Sequence, residues 1–341
     1  MKPEVSERLF IEALFNNSKE KLGTSSTSLK NIERLTGDAS TRRYYRLFTE
    51  KYSFVVCLDN PSESGSNPFI TVQGFLNEHD IRVPIIHDMD LKKGYLLEED
   101  LGDVTLLQYL SQIESLDDEL EIFKKIMDSL IKLHQISDKD IQAENIFCQK
   151  FNEEKLNQEI DFTDKFFLDK FLKIEDQSAK DIITQEFKEI NKRIASEKMV
   201  FTHRDFHSRN IMVKDEEFII IDFQDARWGL PQYDLVSMLE DCYYDLASEN
   251  KNKLIEYYYE GVGPSVHGQK DFAHFKSLYN DMTLQRVFKA IGSFSYIYET
   301  RKDVRYVKNI GFAMEKIKQV LLTDPKYKNL RTTLFKYYYE S

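Results

Sequence analysis

The 341-residue chain is 41% hydrophobic and 31% charged, enough for a substantial core and two lobes, and too balanced for a low-complexity protein. Its 58 acidic and 47 basic side chains leave a net charge of -11, which disfavours global attraction to nucleic acid or anionic membrane while permitting a local basic pocket. No apolar run approaches the roughly 18 residues of a membrane span, and Cys57, Cys148 and Cys242 form neither a close pair nor a CxxC, so reduced thiols and a cytoplasmic location are expected.

Short strand-like runs occupy the first hundred or so residues. Tyr44 to Phe48 and Tyr52 to Leu58 are aromatic and β-branched, and predict a hairpin around Thr49-Glu50-Lys51. Pro61 and Gly65 mark a loop over 59–67, a helix follows over 69–79, and 94–99 predicts a strand leading to a hinge. From about Val104 the period lengthens. Leu106, Leu107 and Leu110, then Ile122, Ile126, Leu130 and Leu133, fall at helical spacing and read as packing residues.

A further helix ends before Met199-Val200-Phe201-Thr202, an extended segment that opens into His203-Arg204-Asp205-Phe206-His207-Ser208-Arg209-Asn210. Ile211-Met212-Val213 and Phe218-Ile219-Ile220-Ile221 then form the arms of a second hairpin, whose closure returns Asp222 toward Asn210. Helical segments are expected after Pro231, over much of 250–260, and over 272–300 and 304–322. The aromatic cluster at 335–339 reads as a packing surface.

The 203–210 octet with Asp222 matches the needs of phosphoryl transfer, which requires metal charge on the phosphates and an oriented acceptor hydroxyl. Asp205 is the candidate proton acceptor. Asn210 and Asp222 carry the hard oxygen atoms that Mg²⁺ prefers. The competing roles are a structural hydrogen bond for Asp205, and turn capping or a buried polar network for the other two. His203 reads as a loop-fixing hydrogen-bond partner rather than a base. His207 stays open between surface and substrate-facing roles. Zinc is disfavoured, since no third histidine or cysteine joins the cluster. Earlier in the chain, Gly37-Asp38-Ala39-Ser40-Thr41-Arg42-Arg43 combines a permissive turn with two arginines. It reads either as a phosphate-contacting loop through Gly37, Ser40, Arg42 and Arg43 or as a structural turn followed by a solvated basic patch.

Together these motifs resemble the aminoglycoside phosphotransferase and choline kinase superfamily. The wider set, with Glu98-Glu99-Asp100-Leu101-Gly102, Asp222-Phe223-Gln224-Asp225-Ala226, Tyr233-Asp234-Leu235 and Gln285-Arg286, is similar to its bacterial N-acetylmuramate/N-acetylglucosamine anomeric kinase branch from about Leu35 to Leu322. The resemblance implies an α+β, bilobal protein-kinase-like fold with a small β-rich N-lobe (1–99) and a larger, mainly helical C-lobe (100–341), binding ATP and Mg²⁺ between them. It implies Asp205 as base, Asn210 and Asp222 at the metal, Glu98 to Leu101 by adenine, and Gln224, Asp225 and Arg227 on sugar hydroxyls. For Arg227 a surface ion pair is the equal alternative, and Asp234 is read as an organiser of the octet. The implied reaction is ATP-dependent phosphorylation of the C1 hydroxyl of an N-acetylhexosamine, N-acetylmuramate and/or N-acetylglucosamine, a step linked to cell-wall sugar recycling. The alternatives are a kinase of choline, an aminoglycoside or another small alcohol, and a non-catalytic binding protein on the same scaffold. One departure stands out: the strand 52–58 lacks the phosphate-contacting lysine usual in protein-kinase-like enzymes.

Overall fold

Apolar residues alternate through the first strands, and in the computed structural model they line one face of a sheet. The structure describes residues 5–19, 21–22, 28–35, 42–62, 67–143, 149–268 and 270–340. The chain divides into two compact units, Met1–Val104 with Met212–Gln224, and Thr105–Ile211 with Asp225–Ser341. Residues 212–224, which a division at 99/100 assigns to the larger lobe, therefore group with the smaller one.

The first unit is an antiparallel sheet of β1 (Asn31–Arg34), β2 (Arg43–Phe48), β3 (Ser53–Leu58), β4 (Ile86–Asp90) and β5 (Tyr95–Glu99), in the order β1-β2-β3-β5-β4. The expected hairpin closes with Phe48 opposite Ser53. Ile32, Tyr45, Leu47, Phe54, Val56, Leu58, Tyr95 and Leu97 pack with Ile11, Leu14 and Phe15 of α1 (Val5–Ser18) to form its core. Tyr44, Arg46, Cys57 and Glu98 alternate onto the other face. Before β5, Gly94 has φ 65°, and an added Cβ would lie 2.1 Å from the carbonyl oxygen of Asp59, so only glycine fits. Asn67 caps α2 (Pro68–Glu78) through Phe69 N–H, with proline at the first helical position.

The second unit is mainly helical. It contains α3 (Leu106–Leu110), α4 (Leu116–His134), α5 (Asp138–Ala143), α6 (Glu153–Thr163), α7 (Gln177–Ala195), α8 (Gln232–Leu239), α9 (Ser248–Val262), α10 (Pro264–His267), α11 (Phe272–Arg301), α12 (Arg305–Thr323) and α13 (Lys328–Tyr338). Strands β6 (Val200–Thr202) and β9 (Arg227–Gly229) pair antiparallel, and between them in sequence lies the hairpin β7 (Ile211–Lys214) and β8 (Glu217–Ile220). The chain continues from α6 through a π-helical stretch, Asp164–Phe171. α11 crosses here: a Cβ on Gly292 would lie 2.8 Å from Thr163 Cα, so the helices approach at backbone distance. Phe187 stacks on Phe288 with ring centroids 4.1 Å apart, fixing α7 against the same helix. The C-terminal aromatics pack as expected: Tyr338 lies against Phe167, and Tyr337 donates to Asp176.

Candidate active site

The 203–210 octet leaves β6 as a loop whose backbone amides would otherwise be orphaned, and two carboxylates receive them. Asp234, fully buried on α8, accepts His203 N–H at 2.6 Å through Oδ2 and Arg204 N–H at 2.9 Å through Oδ1. Asp241, just beyond the same helix, accepts Ser208 N–H at 2.9 Å. Buried His134 joins Asp234 to the hydroxyl of Tyr258. This anchorage balances a left-handed backbone at Arg204, φ 84°, a conformation that costs a non-glycine residue about 1–3 kcal/mol.

Within the loop, Asp205 N–H donates to His203 Nδ1 at 3.3 Å, and the Asn210 side-chain amide donates to Asp205 O at 2.9 Å. Asp205 lines a cavity with His207, Asp241, Tyr243, Arg286 and Lys289 among its walls. Burial alone would raise its carboxyl, but Lys289, Arg286 and Arg204 outweigh that and hold it well below the usual carboxylate range. Arg286 Nη2 stands 3.8 Å from Asp205 Oδ1, while its Nε donates to Ser237 Oγ at 3.0 Å. Asp205 is thus an ionised carboxylate whose lone pairs can orient a hydroxyl and receive its proton.

Three expected substrate-binding residues have distinct surroundings. Gln224 donates to Asp222 Oδ1 at 2.8 Å, while Asp225 is exposed and accepts Arg204 Nη1 at 2.8 Å. Arg227 is not in a surface ion pair. It is buried at 6% exposure, lies over the Phe151 ring and donates to the Asp225 carbonyl, because β9 directs it inward.

In the first unit, Asp222 also has a left-handed backbone, φ 63°, and is followed by Phe223, fully buried and stacked on Phe69 at 4.9 Å. The amide oxygen of Asn210 and carboxylate of Asp222 are hard donors that fit Mg²⁺ chemically. Glu98 is buried on the polar face of the sheet, and burial raises its carboxyl to about 7 against the attraction of Arg42. Burial acts on Glu99 in the same sense, but hydrogen bonds from Arg82 and Lys214 prevail and hold it at about 2. Leu101 is buried next to Asp100, which binds Arg46.

Gly37 and Ser40 lie outside the described residues. The two arginines after them part company. Arg42 pairs with Asp59 at 2.9 Å and lies over Phe69, whereas Arg43, one residue on, alternates to the opposite face and pairs with Glu7 of α1. The motif-based reading also passed over Asp241, His134 and Lys289. For Lys289 a signal existed: a lysine one helical turn beyond Arg286 on an otherwise apolar stripe.

Residues 31–268 match the model of the phosphotransferase enzyme family. The chain belongs to that family. It is an ATP-dependent small-molecule phosphotransferase by that membership. The N-acetylmuramate/N-acetylglucosamine kinase of Pseudomonas putida is 26% identical over 88% of this chain and 86% of its own length. The protein of the same name from Neisseria meningitidis is 27% identical over 76% and 77%. Among solved structures, choline kinase LicA from Streptococcus pneumoniae superposes with a TM-score of 0.59, covering 91% of this phosphotransferase and 99% of LicA at 14% identity. ADP-bound aminoglycoside phosphotransferase APH(2'')-Ib gives 0.56, covering 89% and 98% at 15% identity. Likeness at that identity establishes a shared fold. The bilobal protein-kinase-like architecture expected from the motifs is thus present.

Proposed function

We propose that this phosphotransferase moves the γ-phosphoryl group of ATP to the C1 hydroxyl of an N-acetylated amino sugar, N-acetylmuramate and/or N-acetylglucosamine, giving the sugar 1-phosphate and ADP. The observation that carries the proposal is the cavity in which ionised Asp205 shares its walls with Arg286 and Lys289. An acceptor hydroxyl placed against Asp205 has its proton directed away from the incoming phosphorus, which suits the loose transition state of phosphoryl transfer. The wall sets Arg286 and Lys289 against three carboxylates, Asp205, Glu240 and Asp241, so its charge does not separate an amino sugar from choline or an aminoglycoside. The name shared by the relatives points to the amino-sugar class.

Asn210 and Asp222 would hold Mg²⁺, which when bound neutralises phosphate charge. His203 and Asp234 would fix the octet, with Glu98 and Leu101 near adenine, Arg42 toward the phosphates, and Gln224 and Asp225 toward the acceptor. ATP use and the free thiols of buried Cys57 and Cys242 favour a cytoplasmic setting. Incubation with ATP, Mg²⁺ and a panel of acceptors, followed by phosphorus NMR, should reveal a C1 phosphate on an N-acetylhexosamine. Phosphorylation of choline or an aminoglycoside with no product from any N-acetylhexosamine would reject this acceptor class.

A further inference from the structure

The charged groups around the Asp205 cavity are almost all committed. Glu240 binds Tyr279, Lys251 and Lys316. Both oxygens of Asp241 accept backbone amides, from Ser208 and Tyr243. Arg286 binds Ser237, faces Asp205 and lies over the Tyr233 ring. Lys289 differs from all of these. It lines the cavity and is attracted to Asp205, yet its ammonium makes no hydrogen bond or salt bridge among the described residues. On the same wall, His207 Nδ1 is buried and without a hydrogen-bond partner among the described residues.

An uncommitted ammonium in a partly desolvated cavity is costly, and that cost is recovered if a ligand supplies an oxygen anion. Asp205 supplies charge but no hydrogen bond to Lys289, so the missing partner is a carboxylate or strong acceptor atom on the bound molecule. We infer that Lys289 is a specificity residue that binds an acidic group on the acceptor and makes this phosphotransferase prefer a carboxylate-bearing amino sugar over its neutral counterpart. The inference rests on the amino-sugar reading above and adds to it a direction of preference and the residue responsible. Burial and the nearby Arg286 lower the Lys289 ammonium below its ordinary value, and an acidic group on the acceptor would raise it again.

N-acetylmuramate and N-acetylglucosamine test this directly, because they differ by the lactyl carboxylate on O3. Initial rates with ATP and each sugar would be measured for wild type, Lys289→Met and Lys289→Arg, with folding checked by circular dichroism. Wild type should favour the acidic sugar. Lys289→Met should lower the ratio of the two kcat/KM values about tenfold or more, equivalent to about 1.4 kcal/mol, mainly through KM for N-acetylmuramate. Lys289→Arg, which keeps the charge, should retain much of that ratio. Equal losses on both sugars, or an unchanged ratio in Lys289→Met, would overturn the role of Lys289 and leave the amino-sugar reading standing. Wild type that phosphorylates neither sugar would overturn both. If Lys289→Met does not fold, Lys289→Gln takes its place with the same expected loss of preference.

Discussion

Replacing Asp234 by asparagine isolates the contribution of one buried carboxylate to the octet. The native side chain accepts two backbone amides, one on each oxygen. Asparagine can accept only one of them and presents its own N–H₂ to the other. The orphaned amide costs about 1–3 kcal/mol, and the surviving bond loses about 1 kcal/mol of charge assistance. Arg204, held at φ 84°, is then free to relax toward ordinary backbone geometry. The free energy of opening the loop should therefore fall by about 2–4 kcal/mol, which speeds hydrogen exchange at the His203 and Arg204 amides roughly 30- to 700-fold. Turnover should drop at least about tenfold as Asp205 is misplaced. Mass-spectrometric exchange over residues 200–210 and a coupled ADP assay read the two effects. A folded Asp234→Asn protein with exchange and kcat within about twofold of wild type would refute this account of the anchor.

Asp205→Asn should preserve folding and remove at least about 10²-fold of phosphoryl transfer; a folded variant with wild-type turnover in the ADP assay would exclude Asp205 as the proton acceptor. Glu98 titrates near 7 in the fold against a reference of 4.5, so burial costs nothing below the unfolded value and grows as pH rises toward the folded one. Glu98→Gln should then be more stable than wild type by about 2–4 kcal/mol at pH 8 and equal to it near pH 4, a difference that denaturant melts at both pH values would reveal or exclude. Gly292→Ala should destabilise the second unit by about 1–3 kcal/mol, because the new methyl meets Thr163 Oγ1 and, 2.8 Å away, the Thr163 Cα, which cannot turn aside. An unchanged melting temperature in that variant would show that the crossing has slack.

Legibility in the sequence followed how locally each feature is encoded. The hairpins at 43–58 and 211–220 announce themselves through apolar arms around a polar tip, and both form. β1 and β4, Asn31-Ile32-Glu33-Arg34 and Ile86-His87-Asp88-Met89-Asp90, have no such pattern, since their pairing partners rather than their own propensity make them strands. The π-helical stretch after α6, which packs Phe167 against Phe288 of α11, has no such pattern either. The contiguous octet and the Asp-Phe after the second hairpin were visible because they lie together in the chain. Asp241 and His134 were not, because a carboxylate just past one helix and a histidine on another carry no local pattern, and Lys289 offered only its spacing from Arg286. Arg42 and Arg43 look equivalent in sequence, but strand alternation, a period of two, sends them to opposite faces.

The discontinuity of the first unit has a consequence for how the protein is made. The chain leaves that unit at Val104, builds α3 to α7 and the whole of the octet, and returns only with Met212–Gln224. During synthesis the five-stranded sheet is exposed long before the hairpin bearing Asp222 emerges, and the octet is translated before either Asp234 or Asp241 exists to hold it. Truncation at the end of the sheet would yield a fragment without Asp222, and termination before residue 241 would leave Asp205 on a loop lacking part of its anchorage. Completion of the octet's anchorage is therefore a late event on the ribosome.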